Sequence, residues 1–238
     1  MRLPKIFMFT PVYSEKDYCL EEWLQSVEKF TYKNLTKVIV DNTDDDGVYY
    51  ESLKKRLEPR GYKIYHVERG NSSREALARS QNLGRKIFLE GDYDYFFSLE
   101  SDVFAKPNVI DALVSHNLDI VTAVYMIGHL DLGTRTPCIT LPVFKEEKGT
   151  WGTRLLALDE NIEYINKGVK LVSAGGWGCS LIYRKVMEEV GFTYIPGHSA
   201  HSDVFFFLDA AKLGYLCVVD TDIFCEHKNS KWEDVKDR

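Results

Sequence analysis

The chain of 238 residues predicts a single α/β domain with a mostly parallel central sheet covered by helices on both faces. Short, nearly continuous apolar runs alternate with stretches of helical period, the pattern of strands buried on both sides and joined by crossover helices. Hydrophobic residues make up 45% of the sequence and no long polar stretch divides it, so one core can serve the whole chain. Several of the apolar runs end abruptly in polar or acidic residues, as strands do where an open sheet meets its ligand.

Lys5 to Thr10 is the first expected strand, stopped by Pro11. Ser14 is placed to cap a helix from Glu15 to Phe30, whose apolar face is Leu20, Trp23, Leu24 and Val27. A second strand, Lys37 to Val40, runs into the polar turn Asp41 to Gly47. Helix Tyr49 to Leu57, strand Lys63 to Val67 and a helix from Ser72 to Leu89 follow, and this β-α-β-α-β order predicts right-handed parallel crossovers. Tyr93 to Leu99 is the fourth strand and delivers Glu100-Ser101-Asp102. Beyond it come a helix at Asn108 to Ser115, a strand at Asp119 to Tyr125, and a Gly-, Pro- and Thr-rich loop or hairpin excursion from Gly128 to Gly152. The remaining expectations are a strand near Leu171, helices at Lys185 to Val190 and Asp203 to Leu213, a strand at Leu216 to Val219, and a polar tail from Glu226 to Arg238.

Composition narrows the function classes. The formal charge of −6 is spread in short mixed runs such as Glu51 to Arg60, which speaks against nucleic acid as a partner. Five cysteines, at 19, 138, 179, 217 and 225, have neither zinc-site spacing nor an even count, so reduced, mostly buried thiols are expected. No signal peptide is read at the N-terminus and no run of about 18 apolar residues occurs. The expectation is a cytoplasmic protein, with peripheral attachment to a membrane left open.

The chemistry is concentrated at strand ends. Thr10, Pro11 and Tyr13 lie at the end of the first strand, where the glycines of a dinucleotide fingerprint are missing, so NAD chemistry is disfavoured. Glu100 and Asp102 stand two apart, so on an extended chain both carboxylates project to one side and can share a cation. Oxygen donors of this kind suit Mg²⁺ or Mn²⁺ together with phosphate. On the helix before that strand, Arg74, Arg79 and Asn82 either reach a nucleotide or form an exposed polar face.

The order Thr10-Pro11-Val12-Tyr13, Val40-Asp41-Asn42-Thr43 and Leu99-Glu100-Ser101-Asp102-Val103 resembles the nucleotide-binding half of GT-A glycosyltransferases, family 2 above all. The chain departs from the family's D-x-D motif in having Glu100 at its first position. Gly175 to Arg184 is similar to the family's glycine-rich acceptor-side strand. Ser202-Asp203 followed by Leu213-Gly214-Tyr215 looks like its E-D and L-G-Y stretch, with Ser202 in place of the glutamate. Asp220 to His227 resembles the closing strand that carries a metal-ligating histidine. The resemblance runs from Lys5 to His227 and implies a GT-A fold in one domain, residues 1–238, with a nucleotide-binding half over 1–107, an acceptor half over 108–227 and a polar tail over 228–238. It further implies transfer of a sugar from a nucleotide diphosphate donor, a UDP-sugar as first choice, to a glycan, lipid-linked or protein acceptor with inversion.

The residue roles implied are these: Thr10, Pro11, Tyr13 and Asp41 against the base and ribose, Arg74, Arg79, Asn82, Glu100 and Ser101 toward the nucleotide, and Asp102 and His227 with Glu100 on Mn²⁺ or Mg²⁺. Asp203 is the general base, with helix capping as its alternative. Gly176 and Trp177 line the acceptor or donor sugar, with core packing as the alternative for Trp177. Two rival readings stand beside this one. A sugar-nucleotide-forming nucleotidyltransferase is suggested by Gly133-Thr134-Arg135, although that signature belongs directly after the first strand. A glycan-binding or scaffold protein without catalysis is the other, because fold does not dictate function.

Overall fold

The computed structural model describes residues 2–129, 134–145 and 150–228. In its first half β1 (Ile6–Val12), α1 (Asp17–Val27), β2 (Leu35–Asp41), α2 (Val48–Leu57), β3 (Tyr62–His66), α3 (Ser73–Glu90) and β4 (Tyr95–Leu99) alternate as expected. After β5 (Val103–Phe104) come α4 (Val109–Ser115) and β6 (Ile120–Val124), then β7 (Met126–His129), β8 (Thr134–Pro137), β9 (Ile139–Lys145) and β10 (Thr150–Leu155). The chain finishes with α5 (Asn161–Tyr164), β11 (Val169–Val172), β12 (Ala174–Gly175), β13 (Cys179–Tyr183), α6 (Arg184–Glu189), α7 (Ser202–Lys212), β14 (Cys217–Phe224) and β15 (Glu226–His227).

Eight strands form the main sheet in the order β11-β14-β6-β13-β4-β1-β2-β3. β1, β2, β3 and β4 are mutually parallel, β14 is parallel to β6, and the antiparallel members are β13 and β11. β1 is buried along its whole length because alternate residues enter two separate cores. Ile6 and Met8 pack with Trp23, Leu24 and Leu53 on the α1–α2 face, while Phe7 and Phe9 pack with Phe88, Phe96 and Trp177 on the α3–α7 face. Close approach of α3 to the sheet requires Gly84, where a Cβ would stand 2.4 Å from the Phe9 ring.

Several local expectations are corrected. β1 does not stop at Pro11 but continues to Val12; pairing with β4 ends at Phe9↔Ser98, so β1 is flanked only by β2 where the proline falls. Ser14 does not cap α1. It lies in a 3₁₀ turn, Ser14–Lys16, and its backbone N–H donates to Thr43 Oγ1 at 3.0 Å, tying the first loop to the second. The excursion after Gly128 takes the hairpin form of the two expected, with β7 paired to β8, β9 to β10, and β12 added to β9. Glu226 and His227 are not the start of a tail, since they form β15 against β5, pairing Glu226 with Phe104 and His227 with Val103. Residues 229–238 lie outside the described residues. The five cysteines are free thiols, and among the described residues no helix is long and apolar enough to cross a membrane.

Candidate metal and nucleotide site

β4 ends at Leu99, and the next three residues make a tight turn in which the Val103 N–H donates to the Glu100 carbonyl. Asp102 is thereby directed inward and is fully buried. The β5–β15 ladder brings the last described segment back over this turn, with the Lys228 N–H donating to the Asp102 carbonyl at 2.8 Å. The structure thus brings Glu100, Asp102 and His227 together, each offering one ligand atom and all three atoms lying within 4.8 Å of one another.

The histidine is preset for ligation. Its Nδ1 lies 2.8 Å from the Met126 carbonyl, which can only accept, so Nδ1 carries a proton in either form of the ring and Nε2 is turned to the carboxylates. Burial works to lower the ring's pKa, but Asp102 outweighs it and raises it, so Nε2 gives up its proton when a cation takes its place. Nε2 is buried, 3.6 Å from Asp102 Oδ2, and makes no hydrogen bond among the described residues. The Tyr125 ring packs edge-on against the imidazole at 5.2 Å between centroids. Two carboxylates and one imidazole suit Mn²⁺ or Mg²⁺ better than a soft ion, and the oriented nitrogen without a hydrogen-bond partner fits a cation at this point.

Lys16, unmarked in the sequence reading, belongs to the same site. It ends the 3₁₀ turn after β1 and places Nζ 2.8 Å from Asp102 Oδ2. Burial alone would lower its pKa, but the Asp102 and Glu100 carboxylates outweigh that and raise it. Burial likewise works to raise the Asp102 pKa, and Lys16 and His227 more than reverse it, holding the carboxyl ionised far into acid. Glu100 is shifted the other way, raised by burial and by the neighbouring Asp102 charge against the pull of Lys16.

Asp203 occupies the first turn of α7, where its Oδ1 accepts from the Val204 N–H at 2.8 Å. Burial raises its pKa, and its charge acts on Glu100, Tyr125 and Cys138, which puts it in electrostatic reach of the cluster. Ser202 holds α7 to α3 through a 2.5 Å bond to Gln81 Oε1. Gly176 makes room for Tyr125, whose ring atoms would come within 2.3 Å of a Cβ there, and Tyr125 Oη accepts from the Gly178 N–H.

The first two strand ends form a separate polar cluster. Tyr13 is half-buried and carries the Arg69 guanidinium 5.1 Å from its ring centroid; Arg69 also donates to Asn42 Oδ1. Thr10 and Pro11 are buried beside it in β1. Asp41 is fully buried, accepts from the Thr43 N–H and hydroxyl, and faces His66 Nδ1 at 2.8 Å. Contact between Asp41 and a base therefore requires His66 to move. Arg74 is partly buried with its Nε lacking a hydrogen-bond partner among the described residues, and its charge adds to burial in lowering the His201 pKa. Ser101 is buried, its carbonyl accepting from the Cys19 thiol.

Three expected site residues have other partners. Arg79 is paired with Glu75 at 2.7 Å and with Glu68, closing the start of α3 rather than facing the cluster. Asn82 is used at both ends of its amide, donating to the Phe192 carbonyl and accepting from its N–H, so it is a clamp on the segment after α6. Trp177 is 1% exposed and sits in a ring cluster with Phe96, Phe192, Phe206 and Phe207, so its indole offers no open face to a sugar. Trp177→Ala should accordingly destabilise the fold by about 3–5 kcal/mol in urea denaturation. An unchanged midpoint would put the indole back at the ligand surface. Arg69, His66 and Lys16 were missed. Arg69 shortly follows the end of β3 and was open to the same strand-end rule that singled out Asp41, whereas Lys16 carried no signal beyond following β1.

Gly133 lies outside the described residues, and Thr134–Pro137 is a hairpin strand, not the turn after β1. The eight-stranded, mostly parallel sheet with its helices is the GT-A fold expected from the sequence. Among solved structures, the chain is similar to the crystal structure of GalNAc-T7 with UDP, GalNAc and Mn²⁺, with a TM-score of 0.65 and 15% sequence identity. The match covers 94% of this chain and 44% of that chain, so the present sequence spans less than half of its neighbour's length. No family model and no curated protein matches the sequence.

Proposed function

We propose that the protein is a divalent-metal-dependent glycosyltransferase that uses a nucleoside diphosphate sugar, UDP being the first choice of nucleotide. The observation that carries this reading is the Glu100–Asp102–His227 cluster at the end of β4, on a fold similar to that of a protein crystallised with UDP, GalNAc and Mn²⁺. Residues 1–107 would hold the nucleotide and 108–227 the acceptor. The base would lie against Tyr13 and Arg69, with Thr10, Pro11 and Asp41 forming the floor beneath, and Arg74 would reach a phosphate or sugar oxygen.

Glu100, Asp102 and His227 would hold the cation, which when bound supplies Lewis-acid stabilisation of the departing diphosphate. Asp203 would take the proton from the acceptor hydroxyl as that oxygen bonds to the anomeric carbon and the bond to the diphosphate breaks, with inversion. Its raised pKa favours proton uptake near neutral pH over that of an ordinary carboxylate. Gly176 would shape the sugar side through Tyr125.

Calorimetric titration of UDP tests the reading. Affinity should fall at least several-fold when Mn²⁺ is replaced by a chelator, and equal binding in both conditions would refute it. A panel of UDP-sugars screened for Mn²⁺-dependent thermal stabilisation then identifies the donor, since a ligand bound by the native state alone raises apparent stability.

A further inference from the structure

The cluster that would take a divalent cation already contains a cationic side chain. Lys16 Nζ and His227 Nε2 flank the same oxygen, Asp102 Oδ2, at 2.8 and 3.6 Å. The separation of 3.6 Å between the oxygen and the imidazole nitrogen is one that two ligands of a single ion can span. An ion bound to both, at metal–ligand distances of about 2.1 Å, would stand within about 5 Å of the ammonium if the lysine stayed in place. Two cations so close in a largely buried pocket repel strongly. The lysine side chain is 14% exposed and Asp102 is 0% exposed, so little water lies between them to screen that repulsion. A lysine has a flexible four-carbon stem and a compact charge that can be re-aimed, unlike a guanidinium fork.

We propose that Lys16 is an internal counter-ion of this site: it neutralises Asp102 in the absence of a divalent ion, opposes binding of the ion alone, and moves its ammonium to a diphosphate oxygen when metal and nucleotide enter together. Lys16 is then a positioning and charge-balancing residue, and it makes metal and nucleotide binding cooperative. Without the ammonium, two carboxylates whose ligand atoms lie within 4.8 Å of one another would leave the pocket more anionic, and a free divalent ion would bind there without any donor. This inference rests on the reading of Glu100, Asp102 and His227 as metal ligands.

The test is titration of Mn²⁺ alone, followed by calorimetry and by the paramagnetic resonance signal of the free ion, into the wild-type chain, Lys16→Met, Lys16→Gln and Lys16→Arg. Lys16→Met and Lys16→Gln should bind Mn²⁺ at least about tenfold more tightly without nucleotide, while Lys16→Arg, which keeps the charge, should stay near the wild-type affinity. At saturating Mn²⁺ the two neutral variants should bind UDP several-fold more weakly, because the ammonium is no longer there for the diphosphate. Lys16→Gln keeps a hydrogen-bond donor for Asp102, so it covers the case in which Lys16→Met does not fold. Wild-type Mn²⁺ binding left unchanged or weakened in a folded neutral variant would overturn the counter-ion role and leave the metal reading standing. Mn²⁺ binding by none of the four proteins would remove the metal reading and this inference with it.

Discussion

Asp203→Asn should lower the rate of UDP release from an accepted UDP-sugar, with acceptor or water as nucleophile, by about 10²- to 10⁴-fold, the range associated with loss of a general base. Binding of UDP with Mn²⁺ should stay within about twofold of wild type, because the side chain keeps its size and Asn can still accept from the Val204 N–H. The two roles open to Asp203 therefore separate cleanly. The N-cap of α7 is His201, so Asp203 is a first-turn residue and not the cap expected as its alternative. In a purely structural role there, Asn would leave the rate unchanged, since it can still accept from the Val204 N–H. The pH profile gives a second readout. The base must be ionised to accept a proton, and burial raises its pKa above that of a free aspartate. Activity should thus fall as pH drops through that raised value, and the acid limb should vanish in Asp203→Asn. A wild-type rate in the variant would return Asp203 to the helix terminus.

Asp102→Asn should have two large effects that are measured independently. Loss of a formal charge from a hard-cation site should weaken Mn²⁺ binding by about 100-fold or more, and His227→Ala, which removes a neutral ligand, should do less damage. In urea denaturation without metal, Asp102→Asn should lower the midpoint, because the Lys16 ammonium loses its charged partner at 2.8 Å in a largely buried pocket and Glu100 compensates it only in part. The sign of the pH dependence agrees. The folded-state pKa of Asp102 is depressed by its cationic neighbours, so its contribution to stability is present above the unfolded carboxylate value and is lost as pH falls through the lower folded value. An unchanged denaturation midpoint would mean that the Lys16–Asp102 pair is not held in solution. Unchanged Mn²⁺ affinity would remove Asp102 from the ligand set.

The β-α alternation, the mostly parallel sheet and the strand-end acidic turn were legible in the chain because each rests on local sequence. A strand buried on both faces is apolar along most of its length, as Ile6 to Phe9 is throughout and Tyr95 to Leu99 is but for Ser98, and a carboxylate pair two residues apart shares a side wherever the fold puts it. The closing histidine was legible only as a resemblance, since no local rule pairs His227 with Asp102. What was misread depends on neighbours distant in sequence. Pro11 looked like a strand end, yet whether a proline interrupts a strand depends on which partner strand lies beside it, and β4 has already stopped there. Glu226 and His227 looked like a polar tail because two residues show no period, and their strand exists only because β5 lies opposite.

The same distinction governs the candidate site. Residue types at strand ends determined where chemistry should collect, but the orientation and partners of each side chain were decided by packing between elements. Asn82 and Trp177 are residue types that suit ligand contact, and the segment after α6 and the aromatic core claim them instead. Arg79 is held at the start of α3 by Glu75 and Glu68. Lys16 is the converse case: one lysine among 30 basic residues, distinguished only when the turn after β1 and the turn after β4 come together at the carboxyl edge of the sheet. Hydrophobic pattern and strand-end chemistry are local and survive in one dimension; charge pairing across a fold is set by distances between segments, and only the folded chain supplies those.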